Sequence, residues 1–395
     1  MFVRRRALMP LAGGLLVGRA AGLHASSTVA EPAEAALAGL AFAGDASTLE
    51  QRFPLSRRYE QSQAAAGNPV YRQLHRAASR QPGGVRLVDG FDSLQGRDQA
   101  LAVALVIGSE TSSVEQIGAA WRLLTLVRGQ VLFFDFKAMA VVRAYPISFG
   151  NPAVLAHAPG PDDRWAGIVR LYEGWGGRPG LIDRFANALR DATVPTQATR
   201  LLQVTQATLD PSVEALLPPS LRADATTAQT WLADIIGEAW SGGARVPLVP
   251  FSKGYAIGNV MPMRVADGRV FQLKLPTPDY EIQVHLARWR RVQVGQTAAG
   301  TALVYGSYAQ VKLTEPLLGK VYLDAEFKNG AAKRVPASQA ATDDFPAYYD
   351  SLNGLFVKLA EAIEGGQADW VRSATTSPDI QAQLATTREL MNSCR

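Results

Sequence analysis

Three runs decide the fold: YEIQVHLARWRRVQV (residues 280–294), TALVYGSYAQVKL (301–313) and KVYLDAEF (320–327). Each is rich in β-branched and aromatic residues, and only turn residues separate them. Together with Arg269–Leu275 they predict an antiparallel meander. Lys328-Asn329-Gly330 has the composition of a turn after the last run. Asp343-Asp344-Phe345-Pro346 then opens a helix, with a carboxylate at the cap and proline in the first turn. Tyr349, Leu352, Leu355, Phe356, Leu359 and Ile363 recur at helical spacing, and Gly365-Gly366 stops the helix. A polar helical tail follows.

Upstream, helices and strands alternate. Ala100–Ile107 is a short apolar run suited to a buried strand. Ser112 or Ser113, followed by Val114, Ile117, Trp121, Leu124 and Val127, predicts a capped helix ended by Gly129. Val131–Phe136 and Ala140–Ile147 form a hairpin around Lys137-Ala138-Met139. Residues 150–179 read as a loop carrying the glycine-rich stretch Gly174–Gly180. A helix over Leu181–Ala192, a strand over Leu201–Thr208, a helix over Ala228–Trp240 and a short edge strand over Val246–Phe251 come next. Residues 31–84 read as a helical or loose segment, with helical spacing over Ala33–Phe42 and Tyr71–Ala78. The fold class is α/β (α+β): a mixed sheet covered by helices, ending in an antiparallel meander and a C-terminal helix. The expected organisation is a signal peptide (1–30), an N-terminal helical or loose segment (31–84), a strand-helix-hairpin module (85–150), a main α/β domain (151–370) and a C-terminal helical tail (371–395).

The N-terminus explains where such a chain would work. Arg4-Arg5-Arg6 precede an apolar run to Val17 and then small residues, with cleavage expected after Ala25 or Ala30, the layout of a secretory signal. A periplasmic or secreted location follows. The 395 residues carry a net charge of +5, and residues 1–30 contribute four arginines and no acids, so the rest is close to neutral. That balance gives nucleic-acid binding little support. Beyond the leader no uncharged apolar stretch is long enough for a helical span. One cysteine, Cys394, and four scattered histidines leave no metal-ligand spacing and no disulfide framework. No cofactor, metal site or catalytic residue is expected.

Few residues invite a chemical role. Gly306-Ser307-Tyr308 lies inside a strand and lacks a nucleophile elbow. Asp343 and Asp344 are neighbours before a helix, which suits capping. Asp324 and Glu326 share a strand face, and His285 stands alone mid-strand. The most basic stretch after the leader is Arg288-Trp289-Arg290-Arg291. Alternation sends Arg288 and Arg290 one way, Trp289 and Arg291 the other. This stretch, with Trp175 and Arg178 of the glycine-rich loop, is the candidate partner-binding set.

From Leu181 to Ile363 the order of elements resembles the periplasmic α/β domain of the curli-secretion CsgG and TolB N-terminal type. Phe185-Ala186-Asn187-Ala188-Leu189, the strand Leu201–Thr208, the run Val246–Phe251, the strands Tyr280–Val294 and Thr301–Leu313, and the helix after Asp343-Asp344-Phe345-Pro346-Ala347-Tyr348-Tyr349 carry the likeness. It covers about half the chain and departs from that type in lacking a lipidation cysteine and a clear pair of membrane-crossing hairpins. The resemblance implies a non-enzymatic part of envelope assembly or secretion. The expected function is thus a non-catalytic docking or assembly role with an envelope protein or an anionic envelope component. The alternatives are a periplasmic hydrolase acting on cell-wall or lipid material and a small-ligand carrier.

Overall fold

The computed structural model describes residues 33–44, 49–81, 83–88, 100–192, 200–219, 221–222, 225–243, 246–251, 260–265, 268–339 and 342–394. The expected leader lies outside them. The described residues form a 12-stranded mixed sheet with ten helices, the α/β class expected. None of the helices is long and apolar enough to cross a membrane.

The first half runs from strand β1 (Ala33–Ala43) through helices α1 (Leu49–Arg52), α2 (Pro54–Ala65) and α3 (Val70–Ser79) to β2 (Val85–Val88). Then come β3 (Leu101–Ile117), β4 (Ala120–Asp135), β5 (Ala140–Leu155), α4 (Pro161–Glu173) and α5 (Leu181–Asp191). The second half has β6 (Leu202–Leu209), α6 (Pro211–Glu214), α7 (Ala225–Gly243), β7 (Leu248–Val249), β8 (Val260–Val265) and β9 (Val270–Lys274). It continues with β10 (Tyr280–Thr297), β11 (Gly300–Glu315), β12 (Lys320–Pro336), α8 (Phe345–Ile363), α9 (Ala368–Ala374) and α10 (Ile380–Cys394).

The two halves repeat one plan. In each, an opening strand leads through helices to a long strand that pairs with it in parallel, β1 with β3 and β6 with β10. Two more long strands extend an antiparallel meander, β3-β4-β5 and β10-β11-β12, and a helix follows. The β7 strand joins the halves by pairing with β5 on one side and β6 on the other. The β8-β9 hairpin departs from the plan. It leaves the second half to pair with β1 of the first, and Ala140 meets Lys274 so that β9 also reaches β5. Strands β5-β4-β3-β1-β8-β9 thereby close on themselves around Ala102, Ala104, Leu132, Phe134, Met261, Met263 and Leu273, all buried.

Several expectations need correction. Ala33–Phe42 is not helical but the buried strand β1. A continuous apolar run fits either period, and pairing on both sides outweighs the helix preference of its alanines. The helix expected over Val114–Val127 is a β3-β4 hairpin. Val114 faces Leu123 and Ile117 faces Ala120 across a turn where Gly118 takes φ +62°. Five apolar residues at helical spacing also fit the two arms of that hairpin. Residues 150–179 are not all loop. The strand β5 runs to Leu155, and Pro161 opens α4, whose preceding Gly160 N–H is accepted by Asp163 Oδ2 at 2.8 Å. Lys328-Asn329-Gly330 does not turn, because β12 stays in register with β11 up to Pro336. Val246–Phe251 supplies only the two-residue strand β7, and it sits inside the sheet rather than at its edge; Pro247 and Pro250 bracket it and end its ladder. The C-terminal tail is helical, but its inward face is apolar: Leu384, Leu390, Met391 and Cys394 are buried in the second-half core.

The hairpin around Lys137-Ala138-Met139 is present. Asp135 Oδ1 accepts the N–H groups of Lys137 and Ala138 at 2.8 and 3.0 Å, so a carboxylate fixes a turn that lacks the usual Asn-Gly pair.

Candidate functional site

The β10-β11-β12 meander buries one face against α7, α8 and α10 and leaves the other open. On the covered face Ile282, Val284, Leu286, Val311, Leu313, Leu323 and Phe327 enter the core. A register shift between Leu286 and Arg288 inserts one residue, after which Trp289 points inward and Arg288 and Arg290 outward.

On the open face, cross-strand register builds a basic field. Arg288 lies opposite Tyr308, which lies opposite Lys328; Arg290 lies opposite Gly306, which lies opposite Gly330. Arg334 lies two rows further on, opposite Ala302, beyond the row Val292, Val304 and Ala332. The Arg288 guanidinium sits 4.2 Å from the centre of the Tyr308 ring, and that ring leans on Gly306, where a Cβ would come within 3.4 Å of it. Gly306, Gly330 and Ala332 keep the floor between the cations low. Val292 and Val294 are 51% and 63% exposed beside it. Among the described residues no carboxylate pairs with Arg288, Arg290, Lys328 or Arg334.

The covered face handles its cations differently. Arg291 Nη1 is 2.7 Å from Asp344 Oδ2, and Asp344 also accepts from Tyr305 OH. Burial and that carboxylate hold the Tyr305 phenol above its ordinary range. Lys333 Nζ pairs with Glu115 of β3 and donates to Asp343 O at 2.9 Å. Arg122 Nη1 approaches Glu115 at 3.9 Å. On the covered face Arg291 and Lys333 are thus neutralised by carboxylates; on the open face Lys312 pairs with Asp324, whereas among the described residues Arg288, Arg290, Lys328 and Arg334 have no such pair.

Asp343 is expected to reveal this network through pH. Burial raises its carboxyl, as do Glu115 and Asp344, while the Phe345 N–H and Lys333 oppose the rise. A carboxyl whose folded pKa is raised binds its proton more tightly in the folded chain, so stability is lost as pH rises through that folded pKa. Asp343→Asn keeps an acceptor for the Phe345 N–H and removes the charge. Urea melts should find it more stable than the wild type at pH 7, with the gain gone once pH falls into the ordinary carboxylate range.

The candidate residues separate accordingly. Arg288 and Arg290 are exposed, as alternation expects. Trp289 is 6% exposed and stacks on Tyr348, with centroids 4.7 Å apart. It packs in the core. Arg291 is held by Asp344. Trp175 and Arg178 lie far along the chain in the turn between α4 and α5. There Trp175 packs on Phe149 at 5.4 Å, Arg178 lies 5.7 Å from the Trp175 ring, and Trp175 N donates to Arg178 O at 3.2 Å. These contacts give both residues a structural task. The glycines there take left-handed φ of +86° at Gly174, +54° at Gly176 and +78° at Gly177, which a tight turn requires.

Other residues weighed for chemistry settle into the fold. Ser307 is fully buried, with its Oγ 3.5 Å from Tyr348 O. His285 Nδ1 is 2.9 Å from Thr208 Oγ1. Asp324 pairs with Lys312 at 3.2 Å and accepts from Gln310 at 2.6 Å. No group of ligating side chains among the described residues could hold a metal ion. A narrow, open cleft lies between α7 and the β4-β5 strands. Its Arg128 bonds Glu238 at 3.2 Å and Tyr349 OH at 2.7 Å, and Ser148 N donates to Glu238 at 2.9 Å.

Sequence reasoning missed Lys328, Arg334 and Tyr308. The signal was there: Lys328, Gly330, Ala332 and Arg334 alternate on one strand face. Reading a turn at 328–330 hid it.

No protein-family model matches the chain, and no curated protein matches it. Among solved structures it is similar to a protein of Xanthomonas campestris assigned to DUF330, with 11% identity and a TM-score of 0.22 over 45% of this chain and 88% of that one. It is likewise similar to a neuraminyllactose-binding hemagglutinin homolog of Helicobacter pylori, with 8% identity and a TM-score of 0.21 over 45% of this chain and 92% of that one. Likenesses this weak bear on neither family nor activity, which rest on the site itself.

Proposed function

We propose that this chain is an exported, non-catalytic envelope protein that docks an acidic envelope component on the open face of β10-β11-β12. The observation that carries the reading is a cluster of four cations on the open face. Among the described residues Arg288, Arg290, Lys328 and Arg334 have no carboxylate partner on a low, partly apolar floor, whereas Lys312 lower on that face and Arg291 and Lys333 on the covered face each have one. A cluster of four cations on an uncovered face, bounded at one end by Glu326, attracts an acidic partner over about a Debye length, roughly 10 Å at 0.1 M salt. The signal-like leader and the sequence resemblance to envelope-assembly domains are what supports the compartment in this reading.

The test is in-cell photo-cross-linking of the full chain, with the cross-linker at Val292 on the open face and, as control, at Val357 on α8. A discrete envelope species captured from Val292 alone is the expected result. The Arg288→Glu, Arg290→Glu variant should lose that capture while melting within a few degrees of the wild type, since exposed substitutions are usually worth under about 0.5 kcal/mol. Capture that survives the double reversal, or recovery only as a free monomer, would overturn the reading.

A further inference from the structure

The β12 strand is the outermost member of the sheet. Its outer edge is covered along only part of its length. Near the start, α10 caps it: Gln383 Oε1 accepts Asp324 N at 2.8 Å, and Thr387 Oγ1 donates to Tyr322 O at 3.4 Å. The Asp324 bond shows which residues turn their backbone groups outward. The β11-β12 register runs without a shift from Leu323 to Pro336, so alternation carries the same outward direction to Glu326, Lys328, Gly330, Ala332 and Arg334. All five are exposed. Among the described residues no group outside the ladder bonds to their backbones.

An edge of this length with its N–H and C=O groups unpaired is a template for another strand. The start of β12 is capped by a helix, whereas Glu326–Arg334 has no ladder partner on its outer side among the described residues. The strands β10 beyond Leu286, β3 beyond Ile107 and β5 beyond Ala144 likewise pair on one side only, so it is charge beside a floor of small residues, and not a free edge alone, that singles out this stretch. Charge selects what would pair with it. Lys328 and Arg334 flank the small pair Gly330 and Ala332, with Arg288 and Arg290 behind them on the same face.

Resting on the docking reading above, we infer that the β12 edge between Glu326 and Arg334 takes an extended acidic peptide segment as an added strand. Register specifies the segment. Residues opposite Lys328, Gly330, Ala332 and Arg334 recur every second position, so the partner reads acid-x-apolar-x-apolar-x-acid. The two acids sit about 20 Å apart at roughly 3.3 Å per residue, and the two apolar side chains lie over the low floor beside Val304. The main chain supplies affinity and the alternate side chains supply selection.

Binding is measured by fluorescence anisotropy on the full chain. The probe is a labelled nine-residue peptide, Thr-Glu-Thr-Val-Thr-Val-Thr-Glu-Thr, with a scrambled peptide and a lysine-for-glutamate peptide as controls. The acidic peptide should bind at least about tenfold more tightly than either control, and binding should fall with salt. The Ala332 N–H points outward, so Ala332→Pro removes an edge donor without breaking the β11 ladder, and it should weaken binding about tenfold or more. Lys328→Glu, Arg334→Glu should shift preference to the lysine peptide. N-methylation of the peptide gives a test that leaves the protein untouched. Methylating the alternate amides that face the edge should abolish binding, and methylating the other set should not. Binding no tighter than the scrambled peptide, or equal loss from both methylated sets, would overturn strand addition. If Ala332→Pro leaves the Val292 cross-link intact while Arg288→Glu, Arg290→Glu abolishes it, strand addition fails and docking on the open face stands.

Discussion

Replacing Trp289 by alanine is expected to destabilise the chain by about 3–5 kcal/mol, the cost of emptying a buried aromatic site. The indole is the hub of a cluster. It stacks on Tyr348 at an interplanar angle of 8°, and it meets Trp231 edge-on at 6.3 Å and 84° and Phe345 at 6.3 Å and 67°. These rings belong to β10, α7 and α8, so one side chain ties the meander to both helices that cover it. Trp289 Nε1 finds no partner among the described residues. Trp289→Phe therefore keeps much of the packing and discards an unsatisfied donor, and it should cost markedly less than the alanine variant. Urea denaturation of the three proteins checks this. Equal midpoints for alanine and wild type would mean that the ring is not packed as described. The folded fraction of Trp289→Ala should still be captured from Val292, since Arg288 and Arg290 remain, whereas the double reversal of those arginines should do the opposite.

Within one tetrapeptide the sequence could show the alternation but not which face was covered. Charge and aromaticity point outward by habit, so Arg288-Trp289-Arg290-Arg291 reads as one basic aromatic surface. The β-bulge at Ala287 and the helix starting at Phe345 make Trp289 core and give Arg291 a partner 53 residues away. Local patterns were sufficient where one face alone is wet. The strands of the C-terminal meander and the helices α5, α7 and α8 were legible for that reason. They were insufficient for β1, which is buried on both faces and whose continuous hydrophobicity fits a helix as well as a strand, and for the β3-β4 hairpin, whose half-buried, largely polar arm has apolar residues that fall by chance at helical spacing. The repeat of one plan in the two halves was invisible for another reason. It resides in strand order and pairing, while the β8-β9 hairpin inserted in the second half breaks the spacing a sequence comparison would look for.

Removing Lys333 is expected to be as severe as removing Trp289, for an electrostatic reason. Glu115 lies in the arm of β3 that crosses to the second half, and its side chain is 1% exposed. Lys333 of β12, 16% exposed, pairs with it, and Arg122 stands further off at 3.9 Å. Lys333→Met would leave a buried carboxylate with the weaker partner only, and breaking a buried pair in this way costs about 3–5 kcal/mol. The pair itself is another matter. Desolvating both ions offsets most of their attraction, so Glu115→Gln, Lys333→Met should recover most of the loss. A double-mutant cycle read by urea melts at pH 7 should therefore give a coupling energy of about 2 kcal/mol or more, in the range of directly interacting buried residues. Additive losses would mean that the two side chains do not meet. The same cycle bears on docking. Lys333 lies one residue from Ala332 and Arg334 on the opposite face of β12, so the pair to Glu115 anchors the inner side of the strand whose outer edge is proposed to receive a partner. Lys333→Met is accordingly expected to weaken binding of the acidic peptide, and Glu115→Gln, Lys333→Met to restore it in step with stability. A strand that must offer a straight row of backbone groups to a partner has to be held from behind.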